Sequence, residues 1–254
     1  MTDSLAGRSI LVTGAGRGLG RGVALACAAA GADIVVASPR ENGAETAAQI
    51  EARSGSAAWA RCDATVATDV EAAVAAAVAR NGGLDVVIHN ATSRRSSEPV
   101  RLEDVDEALW HEHASVSLRG AYHCAQAALP QLRTRRGRLI LMTSPAGIEG
   151  SAMLPVYSIV KGALRGFAKS LAREWAPFGV TVNAVSPLAQ TPAMTSAYEK
   201  DPTLEARLAR VVPMGHLGDP ETEIGPAIVF LAGEGAGYIT GQTLAVDGGR
   251  FMTL

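Results

Sequence analysis

Ser9-Ile10-Leu11-Val12-Thr13-Gly14-Ala15-Gly16-Arg17-Gly18-Leu19-Gly20 decides how the rest of the chain is read. Ser9 to Val12 is short and apolar, as in a strand covered on both faces. Glycines follow at once, and a helical pattern opens behind them over 18–30. Glycine there lets the backbone turn tightly and approach a ligand. The helix N-terminus beyond it attracts an anion such as a pyrophosphate.

The same strand-to-helix alternation runs through the chain. Strands are expected at Ile34–Ala37, Ala57–Cys62, Leu84–His89, Leu139–Thr143, Val180–Val185 and Thr243–Val246, and helices over 42–53, 68–80, 104–132, 156–176 and 221–232. Asp104 and Glu107 have capping-box spacing at the head of the long fourth helix. Gly137 and Gly179 stand where helices give way to strands. With no linker or repeat, this predicts one α/β domain over 1–254, built on a doubly wound parallel sheet. Pro187 to Pro220, interrupted by Pro192, Pro202 and Pro213, shows little pattern and is expected to be a lid over a substrate.

Composition narrows the classes. A chain of 254 residues, 48% hydrophobic and only 4% aromatic, builds a core from Ala, Val, Leu and Ile. A net charge of −2 speaks against a nucleic-acid or anionic-membrane partner. Cys27, Cys62 and Cys124 are scattered, as in reduced thiols of a cytoplasmic protein. Neither a signal peptide nor an apolar run long enough to span a membrane is evident.

Tyr157-Ser158-Ile159-Val160-Lys161 carries a second signal. On a helix, residues four apart share a face at a spacing of about 6 Å. An ammonium so placed favours phenolate and is expected to pull the phenol down from about 10 toward neutrality. Such a phenol could exchange a proton at physiological pH. Ser144, at a strand end upstream, could hold the oxygen that receives it.

Taken in order, these motifs resemble the short-chain dehydrogenase/reductase family, and the resemblance covers essentially the whole chain. Its TGxxxGxG is met by Thr13, Gly14, Gly18 and Gly20, its YxxxK by Tyr157 and Lys161, and its catalytic serine by Ser144. Asp63 matches the adenine-binding position, and Asn90-Ala91 matches half of NNAG. Tyr238-Ile239-Thr240-Gly241-Gln242, then Val246-Asp247-Gly248-Gly249, resembles the C-terminal signature. The resemblance, appreciable to the 3-oxoacyl-carrier-protein reductase branch, implies a Rossmann-type sheet of seven strands in the order 3-2-1-4-5-6-7. It also implies a homotetramer or dimer. Tyr157 would be proton donor or acceptor during hydride transfer between a nicotinamide cofactor and a ketone or secondary alcohol. Ser144 would orient the oxygen and Lys161 would hold the ribose. Gly14, Arg17, Gly18, Leu19, Gly20, Ser38, Arg40, Asp63, Asn90, Pro187 and Thr191 would line the cofactor.

Cofactor choice follows from charge. Where enzymes using NAD(H) carry an acid at the end of strand two, this chain has Ser38, with Arg40 and Arg17 near in sequence. A serine admits a 2′-phosphate and arginine suits it, so NADP(H) is favoured over NAD(H). An NAD-dependent alcohol dehydrogenase and a non-catalytic nucleotide-binding regulator remain the alternatives.

Three departures from the family pattern stand out. NNAG reads His89-Asn90-Ala91-Thr92, with His89 expected to be structural. Ser117 replaces an asparagine thought to hold a water that links the lysine to solvent, which points to a slowed or rerouted proton relay. Pro187-Leu188 replaces PG, and Thr191 comes one residue early. Leu188, Met153, Leu154 and Met214 suggest an apolar substrate pocket, with Glu149 at its rim. His111, Glu112, His113 and His123 are read as a solvated helix face without a metal. The arginines at 133, 135, 136 and 138 are read as solvated or helix-terminal charges.

Overall fold

A computed structural model describes residues 4–252. Seven strands, β1 (Ser9–Thr13), β2 (Asp33–Ser38), β3 (Ser56–Arg61), β4 (Val86–His89), β5 (Arg138–Met142), β6 (Thr181–Pro187) and β7 (Thr243–Val246), form one sheet in the order β3-β2-β1-β4-β5-β6-β7. Every pairing is parallel. The helices are α1 (Gly18–Ala29), α2 (Asn42–Ala52), α3 (Ala67–Asn81), α4 (Glu107–His113), α5 (Gly120–Arg135), α6 (Ala146–Glu149), α7 (Pro155–Trp175), α8 (Pro192–Lys200), α9 (Leu204–Val211) and α10 (Gly225–Ala232).

The unbroken apolar strands reflect burial on both faces. Along β1, Ile10 and Val12 join one core with α1, α2 and α10, while Leu11 joins the other with α3, α5 and α7. Because β2 lies on one side of β1 and β4 on the other, the chain reverses direction across the sheet at β1. A crevice opens there at the strands' carboxyl ends.

Three expectations are corrected. The stretch 104–132 is helical only from Glu107, runs on to Arg135, and is not uniformly α: a π-helical turn over Ala114–Arg119 joins α4 to α5. The cap is not the Asp104–Glu107 box either. Leu102–Asp104 is a short 3₁₀ turn, and the Asp106 carboxylate accepts from the Leu109 N–H at 2.6 Å. The span 187–220 is more regular than expected, since it carries α8 and α9. Its base is drawn together by the Leu188 carbonyl, which accepts from Gly218 N–H, and the Gly218 carbonyl, which accepts from Gln190 N–H. Among the described residues, no helix is long and apolar enough to cross a membrane.

Candidate active site

The glycine turn closes over the end of β1 because its neighbours leave no room for side chains. A Cβ on Gly14, whose φ is +66°, would lie 2.8 Å from Ala91 Cα. One on Gly20 would strike the Gly14 carbonyl. Asn90 donates its amide to that same carbonyl at 3.1 Å, which ties the β4 end to the turn. Gly18 faces Thr191 and Pro192, so the start of the lid segment adjoins the turn. Leu19 is half-buried behind it. This is a backbone cradle, bare of side chains, at a helix N-terminus, and it fits a dinucleotide's phosphates.

At the end of β2, Ser38 is buried and its hydroxyl donates to the Arg40 carbonyl at 2.7 Å, fixing the turn into α2. Arg17 and Arg40 are exposed. The register brings Arg61, last residue of β3, beside Ser38. Sequence reading passed over this third guanidinium, although its place at a strand end next to β2 was the available signal. Asp63, half-buried after β3, accepts from Thr65 N–H and Oγ1 through one carboxylate oxygen.

Ser144, Tyr157 and Lys161 are brought together by β5, α6 and α7. Pro155 occupies the first turn of α7, where its missing N–H costs nothing. A Cβ on Gly147 would collide with the Lys161 backbone, so only glycine lets α6 lie directly on α7. This contact sets Ser144, just before α6, beside the Tyr157 phenol. Lys161 is 3% exposed, and its Nζ donates to the Met142 carbonyl at 2.8 Å. Nζ lies 5.7 Å from the centroid of the Tyr157 ring.

The electrostatics differ from expectation. Burial holds the Tyr157 phenol above its ordinary range, and the Ser144 hydroxyl only partly opposes this. Burial also brings Lys161 down from 10.5 to about 8. Desolvation therefore outweighs the i, i+4 attraction, because the ammonium is aimed at a carbonyl rather than at the phenol oxygen.

Ser117 lies in the π-helical turn, fully buried, with its hydroxyl 3.4 Å from Thr92 Oγ1. Its carbonyl is taken by His89 Nε2 at 3.1 Å. A carbonyl only accepts, so Nε2 carries the proton and Nδ1 accepts from Thr13 Oγ1 at 3.0 Å. Burial, assisted by the Lys161 charge and opposed by the Ser117 carbonyl, lowers His89 to about 3. His89 is thus a neutral strut between β1, β4 and the π-helical turn.

Other residues are redistributed. Met153 and Leu154 line a small pocket beside Tyr157, whereas Met214 is 67% exposed and Leu188 bonds through its N–H to Val246. Glu149 pairs with Arg250 at 3.1 Å and does not line the pocket beside Tyr157. Thr191 accepts from Met194 N–H at 3.4 Å at the start of α8, and Pro187 ends β6. His111 is exposed as expected, but His113 is not: it is 3% exposed and packs edge-on against Tyr157, ring centroids 6.2 Å apart. Arg138 is likewise buried rather than solvated.

A family model described as enoyl-(acyl carrier protein) reductase matches residues 14–250. The chain belongs to the short-chain dehydrogenase/reductase family. The 3-oxoacyl-[acyl-carrier-protein] reductase of Vibrio harveyi is 37% identical over 253 residues, spanning 98% of this chain and 99% of the relative. The enzyme of the same name from Staphylococcus aureus (strain Mu50) is 34% identical over 248 residues, 96% and 98% of the two chains. A solved structure described as a short-chain alcohol dehydrogenase from Sinorhizobium meliloti 1021 superposes with a TM-score of 0.90 at 36% identity, covering 97% of each chain. A short-chain dehydrogenase/reductase (glucose/ribitol dehydrogenase) from Brucella melitensis gives 0.89 at 30% identity over 100% of both chains. As a member of the family, the chain is an NAD(P)-dependent oxidoreductase acting on CH–OH or C=O groups.

Proposed function

We propose that this dehydrogenase/reductase reduces ketones, or oxidises the corresponding secondary alcohols, with NADP(H) in preference to NAD(H). The observation that carries the first part is the convergence of Ser144, Tyr157 and Lys161 at the carboxyl ends of β5 and β6, next to the glycine cradle. Bound there, the nicotinamide supplies or accepts the hydride. Tyr157 hands its phenolic proton to the carbonyl oxygen, and its raised pKa keeps that proton in place until the oxygen becomes basic. Ser144 donates to the same oxygen and fixes its direction. Lys161 holds the cofactor ribose and, below about pH 8, supplies positive charge behind the phenol.

Cofactor preference rests on Ser38 ending β2 where a carboxylate would repel a 2′-phosphate, with Arg61 beside it in register and Arg17 and Arg40 exposed near it in the chain. The test is turnover of a ketone panel, with 3-oxoacyl thioesters included because the curated relatives bear that activity in their name. NADPH should outperform NADH in kcat/KM, and Tyr157→Phe should abolish turnover. Ser38→Asp should cost NADPH roughly a hundredfold, about 3 kcal/mol of like-charge repulsion. Tighter binding of NADH by the unaltered protein would overturn the cofactor assignment.

A further inference from the structure

An acid that gives up a proton in every turnover must regain one, and the Lys161 side of Tyr157 is closely packed. Lys161 is enclosed with Nζ engaged by Met142, and Ser117 is fully buried with its carbonyl taken by His89 and its hydroxyl facing Thr92. His113 packs edge-on against the Tyr157 ring and shares a small pocket with it. Its neighbours in the pocket are apolar (Val105, Leu109, Met153 and Leu154), except for Glu98 and Tyr157 itself. Nδ1 is shut from solvent without a partner, and Nε2 makes no hydrogen bond among the described residues. An unpaired buried nitrogen costs roughly 1–3 kcal/mol, and a leucine would fill the same wall without that cost. Packing does not account for an imidazole here.

From this geometry we infer that His113 returns the proton to Tyr157, through a pocket with room for about one water that also touches Glu98. The inference rests on the proposed role of Tyr157. The step balances simply. Reduction takes the phenolic proton and leaves phenolate. The imidazole takes one proton from bulk water at the Glu98 rim and passes it through the pocket water to the phenolate oxygen, ending neutral. Oxidation runs the same path backwards.

The surrounding charges suit a transient carrier. Burial lowers His113, Glu112 and Glu98 raise it, and Arg95 and Lys161 lower it, so the resting ring is neutral and releases a proton readily. Glu98 is itself paired with Arg95 at 2.7 Å, and Glu112 accepts from Ser93 Oγ at 2.7 Å, so neither carboxylate stands bare beside the ring. A new phenolate would raise the imidazole when the proton is needed.

The test uses the purified protein, NADPH and the ketone it reduces fastest, mixed by stopped flow with a pH-indicator dye in weak buffer. In the wild type, proton uptake should keep pace with NADPH oxidation. In His113→Phe, which keeps the ring contact, and His113→Gln, which keeps polarity, uptake should lag. Steady-state kcat should fall by about tenfold, with partial rescue by added imidazole. NADPH affinity, read by fluorescence, should stay unchanged. Synchronous uptake in both variants, with kcat, pH profile and D₂O isotope effect as in wild type, would overturn the inference. Should no ketone turn over, or should Tyr157→Phe retain turnover, the role of Tyr157 itself falls and the proton-return step with it.

Discussion

Lys161 places stability and activity in opposition at a single residue. Its ordinary value of 10.5 falls to about 8 in the folded chain. Between these limits the unfolded chain binds a proton that the folded chain does not, so stability rises with pH across that window. Below about pH 8 the burial cost is fully present, on the order of 3 kcal/mol. Lys161→Met should therefore raise Tm at pH 7 while abolishing turnover. Calorimetry and a turnover assay on the same sample check both halves; an unchanged or lower Tm would contradict the burial argument. His89 acts in the acid range with the same sign. Its value drops from 6.5 to about 3, so acidification through this interval protonates the unfolded state first and erodes stability. His89→Asn should flatten that loss, as seen in urea midpoints at pH 4 and pH 7. A loss identical to that of the wild type would show that other groups carry the acid lability.

At the scale of elements, close packing at Gly22 joins α1 to the end of the 187–220 segment. Helix α1 meets the π-helical turn Pro220–Ile224 at Gly22, where a Cβ would lie 2.7 Å from the Pro220 carbonyl carbon and 2.8 Å from Glu221 N. Gly22→Ala should cost about 1–3 kcal/mol in denaturant unfolding, because a backbone, unlike a side-chain tip, cannot swing aside. A loss below about 0.5 kcal/mol would mean the turn yields freely. The strands and most helices were legible in the sequence because two-sided burial writes unbroken apolar runs and glycine marks the turns. The π-helical turn was not: residues 114–119 keep helical periodicity, and one wider turn leaves no compositional trace. For the same reason His113 read as solvated. Two residues beyond exposed His111 it lies on another face, and only the packing of α4 on α7 shows that this face is covered. Ser144, Tyr157 and Lys161 were legible through spacing, but the phenol's electrostatics were not, since spacing does not reveal where an ammonium points.

Across the whole molecule, the proposed site and a buried ionic cluster occupy opposite ends of the sheet. The crevice lies at the carboxyl ends of the strands. At the amino ends, Asp85 is 5% exposed, accepts from Ser9 N–H at 2.9 Å, and faces Arg8 at 3.9 Å and Arg135 at 3.8 Å. Arg138, also buried, donates to the Arg136 and Gly137 carbonyls, with its Nε unpartnered. Asp85 thus offsets Arg8 and Arg135 where β1, β4 and β5 begin, while the exposed Glu234 lies 3.5 Å from Arg8. Replacing Asp85 would leave Arg8 with only the exposed Glu234, and a broken pair in a fully buried setting costs about 3–5 kcal/mol. The part-exposed Arg135 reduces that figure, because its side chain can turn to water. Asp85→Asn keeps the size and one acceptor for Ser9, so it isolates the charge. It should lower unfolding free energy by roughly 2–3 kcal/mol, most at low salt and less as added salt screens the arginines. NADPH affinity and KM should stay those of the wild type, since the sheet's length separates Asp85 from the crevice. Urea titrations at two salt concentrations, paired with cofactor titration, test the division: a stability loss together with weakened cofactor binding would show that the two ends of the sheet are coupled.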